Sequence, residues 1–256
     1  MMASLTEVAE QLRACHHLVV LTGAGVSQES GIPTFRDALT GLWSRFDAEQ
    51  LATPEAFAAD PALVWGWYEW RRALVLRCQP NAAHRAIAEL SQRVPRLTLV
   101  TQNVDGLHQR AGSPIVLELH GSLYQPYCEA CRRPHTLPDT PPDLPEGGIP
   151  LSPPRCDHCG GRIRPGVVWF GESLPLDAWK QAESAANACD LLLSVGTSSL
   201  VYPAAELPLV AARRGAGVIQ INPAATAIDS VAPFNLRGAA AEVLPDLVSR
   251  AWPGDG

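Results

Sequence analysis

Residues 18–31, LVVLTGAGVSQESG, decide how the chain is read. Four apolar residues run into Thr22, then a turn built on Gly23 and Gly25, then residues suited to a helix start. Strand, glycine turn and helix N-terminus in that order bring backbone N–H groups up to a phosphate, and the helix end favours its negative charge. The dehydrogenase fingerprint G-x-G-x-x-G would require glycine at 28, where Gln28 stands. A nucleotide site is expected here, and a conventional NAD dehydrogenase is not. The plain alternative is a tight strand-to-helix turn with no ligand. Residues 31–37, GIPTFRD, follow as loop, because Pro33 keeps the helix from continuing. In that loop Arg36 suits a phosphate and Phe35 an aromatic ring.

Working outward, further short apolar runs occupy 97–101, 115–119, 167–170, 191–195 and 217–221, with the first at 17–21. Helical patterns fill 4–14, 82–93, 176–188, 203–214 and 239–250, the first with Ser4 and Glu7 as a capping box. Alternation of this kind predicts a parallel sheet covered on both faces, an α/β Rossmann-like, doubly wound fold. Right-handed crossovers place all the strand C-termini along one edge. The chain has 256 residues, a net charge of −6 and 18% charged residues. That length suits one large domain with smaller modules, and that charge excludes a disordered polyelectrolyte and non-specific nucleic-acid binding. No apolar run reaches the ~20 residues needed to span a bilayer, so no membrane partner is expected. Nothing at the N-terminus resembles a targeting peptide. Of the 20 basic residues 19 are arginine, which reads as codon bias.

Two stretches break the rhythm. Residues 44–80 lack strand signals and, counted with Trp43, hold four of the seven Trp, which predicts a helical module. Residues 127–162 hold Cys128-x-x-Cys131 and Cys156-x-x-Cys159, and eight of the 21 residues from 134 to 154 are proline. Proline at that density excludes regular helix or a central strand. Two C-x-x-C pairs are the signature of tetrahedral zinc on four thiolates, and four ligands leave no open position, so the metal is expected to be structural. The remaining body, 1–43, 81–126 and 163–256, is expected to bind the nucleotide. Cys15, Cys78 and Cys189 sit among apolar neighbours and read as buried thiols. An odd cysteine number with paired metal spacing fits a reducing cytoplasm.

Several strands end in polar or small residues, where a doubly wound sheet opens its ligand crevice. The strand at 97–101 ends in Gln102-Asn103-Val104-Asp105, whose carboxamides and carboxylate suit ribose hydroxyls and a carboxamide-bearing ring. The strand at 115–119 ends in His120, placed to act as a general base near neutral pH. The other histidines read as structural or exposed. Gly196-Thr197-Ser198 and Asn222 repeat the pattern and suit phosphate or ribose.

Together GAGVSQESGIPTFRD, TQNVDGLHQRAG, ELHGS, the cysteine pairs, RPGVVWFGE and VGTSSLVYPAAELP resemble the sirtuins, the NAD-dependent protein-lysine deacylases. The pieces follow in family order and, with the Asn222 strand, cover nearly the whole chain. The resemblance implies a role for each matching position. Gly23, Ala24, Gly25, Phe35 and Arg36 correspond to the cofactor loop, and Gln102, Asn103, Val104 and Asp105 to the ribose and nicotinamide pocket, with His120 and Asn103 catalytic. Gly196, Thr197, Ser198, Asn222, Pro223, Ala224 and the backbone of Ala240 correspond to the adenosine side. Val168, Trp169, Phe170, Gly171 and Glu172 correspond to the strand that pairs with the substrate backbone and lines the acyl-lysine tunnel. The implied reaction consumes NAD: the amide oxygen of an acyl-lysine protein attacks ribose as nicotinamide leaves, giving lysine and 2′-O-acyl-ADP-ribose. Gln28, where the family often has Ala, and a longer 37–43 loop depart from the pattern.

Tyr68 and Arg71, three residues apart, share a helix face, and a phenol beside a guanidinium binds a carboxylate. This Tyr-x-x-Arg resembles the desuccinylase-type sirtuins, which remove succinyl, malonyl and glutaryl groups, and Ala52 fits their roomier pocket. The alternative is an exposed helix face on which Arg71 is a solvated charge like Arg72. Plain deacetylation, mono-ADP-ribosylation and a non-catalytic NAD sensor are the rival functions.

Overall fold

The computed structural model describes residues 5–34, 47–140, 143–145 and 148–254. In chain order the elements begin with α1 (Leu5–Ala14) and β1 (His17–Thr22), a 3-10 turn (Ala24–Ser30), then α2 (Ala48–Leu51), α3 (Pro54–Ala59), α4 (Pro61–Arg77) and α5 (Ala82–Arg93). Next come β2 (Arg96–Thr101), α6 (Leu107–Arg110), β3 (Val116–Glu118), β4 (Tyr127–Cys128), β5 (Ile163–Arg164) and α7 (Leu176–Ala188). The chain finishes through β6 (Leu191–Val195), a short 3-10 turn (Ala204–Glu206), α8 (Leu207–Arg213), β7 (Gly217–Ile221), β8 (Phe234–Leu236) and α9 (Ala240–Ala251). Ser4, Phe35, Arg36 and the 37–43 loop lie outside the described residues.

The main sheet has the order β3-β2-β1-β6-β7-β8, and all its pairings are parallel. Its strands read as continuous apolar runs because both faces are buried. In β1, Leu18 and Val20 join one core with α1, α5 and α9, while Val19 and Leu21 join the opposite core with α7 and α8. The order reverses between β1 and β6, and there the crevice for a ligand opens. None of the described helices is long and apolar enough to cross a membrane.

A third core gathers Leu51, Phe57, Trp65, Trp67 and Tyr68 from the 47–77 helices with Cys128, Cys156, Ile163, Val167 and Trp169. The helices α2 to α4 and the cysteine segment therefore bury one common set of side chains. Helix α4 starts on Asp60, whose carboxylate accepts the Leu63 N–H at 2.9 Å, with Pro61 at its first position. It is buried on several faces, and Arg72 is carried inside by a bidentate pair with Glu69 (2.9 and 3.0 Å) and a bond to the Pro138 carbonyl. The expectation of Arg72 as a solvated charge is thus corrected: both cations of the pair 71–72 have protein around them, because α4 has cover on more than one side.

Other expectations shift. The run 167–170 is not a strand. Val167 makes a single bridge to Gly121, and the next three N–H groups go to His120, Glu172 and Ala52 instead of to a neighbouring strand. The pattern 203–214 divides into a 3-10 turn and α8, and β8 was not anticipated, since Phe234-Asn235-Leu236 is too short for a periodicity argument.

The crevice depends on close backbone approach. The Gly25 N–H donates to the Gly196 carbonyl at 2.8 Å, and Gly196 holds φ +59°. A Cβ on Gly196 would stand 2.3 Å from the Val26 nitrogen. Gly196→Ala is expected to lower unfolding stability by about 1–3 kcal/mol through strain and overpacking. Denaturant unfolding measures this, and an unchanged midpoint would contradict the packing described.

Candidate active site

A cavity of about 790 Å³ opens at the crevice. Gly23, Ala24 and Gly25 line it after β1, Gln102, Asn103, Val104 and Asp105 after β2, and His120 after β3. Gly196, Thr197 and Ser198 follow β6, and Asn222, Pro223 and Ala224 follow β7. Ala240, by contrast, is buried at the start of α9 among core residues and does not belong to the cavity wall. Its methyl packs inward because α9 presents that face to the sheet, which leaves only its backbone for the expected adenosine contact. The turns are tied together across the crevice. Gln102 Nε2 donates to Thr197 Oγ1 at 3.0 Å, and Asn222 Nδ2 donates to the Thr197 carbonyl at 3.0 Å. The N–H groups of Gly23 and Gly25 are also engaged with this neighbouring turn, on Val195 and Gly196.

Beneath the cavity floor runs a buried polar chain. Asn103 Nδ2 donates to the Gly23 carbonyl and to Ser27 Oγ, both at 3.1 Å. Ser27 in turn donates to Asp105 Oδ2 at 2.7 Å, and the Leu107 N–H satisfies Oδ1 at 2.9 Å. Burial pushes the Asp105 carboxyl up, opposed by these hydrogen bonds and by Arg71 and Arg110. His84 lies 3.4 Å from Ser27 and accepts the Asn81 N–H with its Nδ1, so its Nε2 carries the proton. Its ring contacts that of His108, whose Nε2 reaches Thr22 Oγ1 at 2.9 Å. Thr22 continues to Thr101 Oγ1, which accepts the Asn103 N–H.

His120 stands apart from this chain, at the cavity. Its Nδ1 lies 2.9 Å from the Gln102 carbonyl, which can only accept, so Nδ1 bears the proton and Nε2 keeps its lone pair. Burial lowers the pKa of the ring, with the Gln102 bond opposing, so the neutral form holds at pH 7.

The far wall of the cavity carries Ala52, Tyr68, Arg71, Val75 and the segment from Val167 to Glu172. The Tyr68 oxygen accepts from Trp169 Nε1 at 3.0 Å. Burial raises the Tyr68 pKa, opposed by Arg71, so the phenol stays protonated. Desolvation lowers the pKa of Arg71, and Tyr68 and Asp105 oppose it. A guanidinium remains charged under any such shift. Glu172 does more than line the cavity: its carboxylate takes both Arg164 nitrogens (2.6 and 2.9 Å) and the Trp169 N–H.

Away from the crevice the four paired cysteines converge, with all their Sγ atoms within 4.8 Å of one another. The Cys128–Cys159 and Cys131–Cys156 separations are 3.5 and 3.7 Å. Thiolates about 2.3 Å from a tetrahedral zinc would be about 3.8 Å apart, so the cluster fits a structural zinc. The two knuckles are built alike. In each, the N–H four residues on returns to the first cysteine's carbonyl, Arg132 to Cys128 and Gly160 to Cys156. Both of those residues take positive φ, +63° and +72°. Gly161 keeps the thiols clear, since a Cβ there would stand 3.0 Å from Cys128 Sγ.

A profile of the Sir2 family matches residues 23–203, which include most of the cavity-lining turns and all four cysteines. The chain belongs to the Sir2 family. An NAD-dependent protein deacylase of Methylococcus capsulatus is 62% identical over 242 residues, 94% of this chain and 95% of that protein. NAD-dependent protein deacylase 1 of Pseudomonas aeruginosa is 58% identical over 96% of this chain and 99% of its own length. A solved Sir2 homologue–NAD complex superposes with a TM-score of 0.87 at 46% identity, covering 96% of this chain and 93% of its own. A Sir2–p53 peptide–NAD+ complex superposes at 0.82 with 31% identity, over 96% and 98% of the two chains.

The strand-end residues expected at the site line one cavity, while Ser27, Thr101 and Arg164 are not singled out by the sequence and His84 reads there only as structural or exposed. Asn81 followed three residues later by His84 is a capping-box spacing that could have pointed to the first histidine. The other three lie within strands or turns and carry no spacing signal.

Burial lowers His84 to about 4 and His108 to about 3. An unfolded histidine titrates near 6.5, so the unfolded chain takes up protons first as pH falls. The stability tied to the neutral rings is full above about pH 6.5 and is lost as pH falls toward 4 and below. The melting temperature is expected to drop across that window, and to drop less in His108→Gln. An equal drop in both proteins would contradict this assignment. For the cysteine cluster, chelation is expected to remove one zinc per chain and lower the melting temperature together with turnover. Full turnover in metal-free protein, measured beside elemental analysis, would overturn the structural role.

Proposed function

We propose that this chain is an NAD-dependent protein-lysine deacylase that prefers succinyl-, malonyl- and glutaryl-lysine. One observation carries the finer part: Tyr68 and Arg71, from the same face of α4, line the same cavity as His120 and Asn103. A protonated phenol that already accepts from Trp169 has its own O–H left to donate, and the guanidinium beside it supplies charge and a planar fork. A dicarboxylic acyl group places its free carboxylate between them, and an acetyl group carries no such charge to meet the guanidinium.

When bound, NAD supplies an electrophilic ribose carbon with nicotinamide as leaving group. The Gly23–Gly25 and Gly196–Ser198 turns form the bed for the dinucleotide, and Asn222 faces its adenosine end. Asn103 and Asp105, fixed through Ser27, orient the ribose and the carboxamide ring. His120 Nε2 takes a proton from the ribose hydroxyl system, its tautomer fixed by the Gln102 carbonyl. The substrate backbone lies along 168–172. The N–H groups of Val168, Trp169 and Phe170 are engaged within the protein, so they do not serve that pairing. The larger body, 1–43, 81–126 and 163–256, then serves the dinucleotide, with 44–80 closing the acyl end and 127–162 bracing it.

The test is turnover of one peptide carrying acetyl- or succinyl-lysine, following nicotinamide release and peptide mass. Succinyl is expected to be favoured, and Arg71→Met to lose about two orders of magnitude in kcat/KM on succinyl while changing acetyl far less. Equal loss on both peptides sinks the pocket assignment. Release of nicotinamide from neither, in zinc-loaded protein, points to an NAD-binding module without this activity.

A further inference from the structure

We propose that Trp169, clamped by the Arg164–Glu172 pair, is a positioning residue that aims the Tyr68 hydroxyl and so sets the preference for dicarboxylic acyl groups. The inference rests on the carboxylate reading of Tyr68 and Arg71 and adds the part of the structure that makes it work.

Arg164 is only 6% exposed, so its charge must be compensated where it lies. Its Nη1 and Nη2 meet the two Glu172 oxygens at 2.6 and 2.9 Å, and Nη2 also donates to the Val167 carbonyl at 3.1 Å. The guanidinium carbon stands 3.5 Å from the centre of the Trp169 ring, within cation–π range. Glu172 then closes the loop by accepting the Trp169 N–H at 2.9 Å. On its other side the indole meets Phe57, ring centres 5.3 Å apart. The ring is thus held by a charge, a backbone bond and an aromatic neighbour, and of the three residues only Glu172 lines the cavity.

What this arrangement points into the acyl wall is a single donor. Trp169 Nε1 donates to the Tyr68 oxygen at 3.0 Å in a setting where both residues are buried. A phenol oxygen that accepts along one direction directs its own proton along another. Away from bulk water, no rapid exchange of partners averages that direction. A phenylalanine at 169 would fill much of the same space and keep a ring under Arg164, but it would leave the Tyr68 hydroxyl free to rotate. Simple core filling by Trp169 is the competing explanation, and it makes no distinction between acyl groups.

The experiment compares wild type, Trp169→Phe, Tyr68→Phe and the double variant on the same succinyl and acetyl peptides with saturating NAD. Trp169→Phe is expected to lower the succinyl-to-acetyl ratio of kcat/KM about threefold to tenfold, mainly by raising KM for the succinyl peptide. Tyr68→Phe is expected to lower the ratio as well, and adding Trp169→Phe to it should change the ratio no further. Arg164→Lys keeps the charge but loses the fork, and is expected to act in the same direction. Equal loss on both peptides in Trp169→Phe, or additive effects with Tyr68→Phe, overturns the proposal and leaves Trp169 as packing. A wild-type enzyme that does not favour succinyl removes the underlying reading instead, which separates the two failures.

Discussion

Two backbone turns lie against each other at the centre of this protein with no room for a side chain between them. Gly25 donates to Gly196 at 2.8 Å, and a Cβ on either residue would meet backbone atoms at less than 3 Å. That contact fixes the spacing of the β1 and β6 ends at the point where the strand order reverses. The other turns are referenced to it. Thr197, the next residue, takes Gln102 on one side and Asn222 on the other, so three strand ends share one anchor. Glycine here does more than permit ligand approach. It lets the two halves of the sheet close on each other, and the crevice that remains is the cavity.

The strength of the site comes from buried polar groups bonded to one another inside the protein, with His108 Nδ1 the one ring nitrogen of this network that has no partner among the described residues. Asn103 and Asp105 project from a loop, where mobility would be expected. Ser27 connects them to the first glycine turn, and His84, His108, Thr22 and Thr101 extend the chain of contacts under the sheet edge. Two neutral imidazoles suit this place because each offers a donor without bringing a charge into a dry interior. The same choice makes the region sensitive to acid, since the first proton taken up has no counter-ion waiting for it.

Legibility in the sequence followed the physics of each element. The run in β1 could be read because strands covered on both faces are apolar throughout, and the polar residues after β2, β3, β6 and β7 stood out against such runs. The cysteine pairs could be read because metal coordination imposes spacing. The run 167–170 looked like another strand because apolarity reports burial and not pairing. Its burial is real at Val167 and Trp169, but its hydrogen bonds go to a histidine carbonyl, a carboxylate and a loop. Arg71 and Arg72 are adjacent and chemically identical; the spacing from Tyr68 singles out Arg71, but only three-dimensional neighbours show Arg72 buried and paired with Glu69.

The acyl wall joins these observations into a division of labour. Cys128 and Cys156 share one core with Tyr68 and Trp169, so the knuckles and helix α4 are packed as a unit. A metal cluster that holds 127–162 in shape therefore acts on the reaction through packing, without touching a reactant. The Arg164–Glu172 pair sits at the boundary between the two, starting from the last residue of β5 and reaching into the cavity wall. An ion pair with one partner buried and the other half-buried is weak evidence for stability, since well-packed apolar groups could replace it. Its value at this position is directional: a bidentate fork fixes one geometry where apolar packing would accept several. Here the fork holds the guanidinium over the Trp169 indole, whose Nε1 donates to the Tyr68 oxygen in the cavity wall, so one geometry is passed from the ion pair to the phenol.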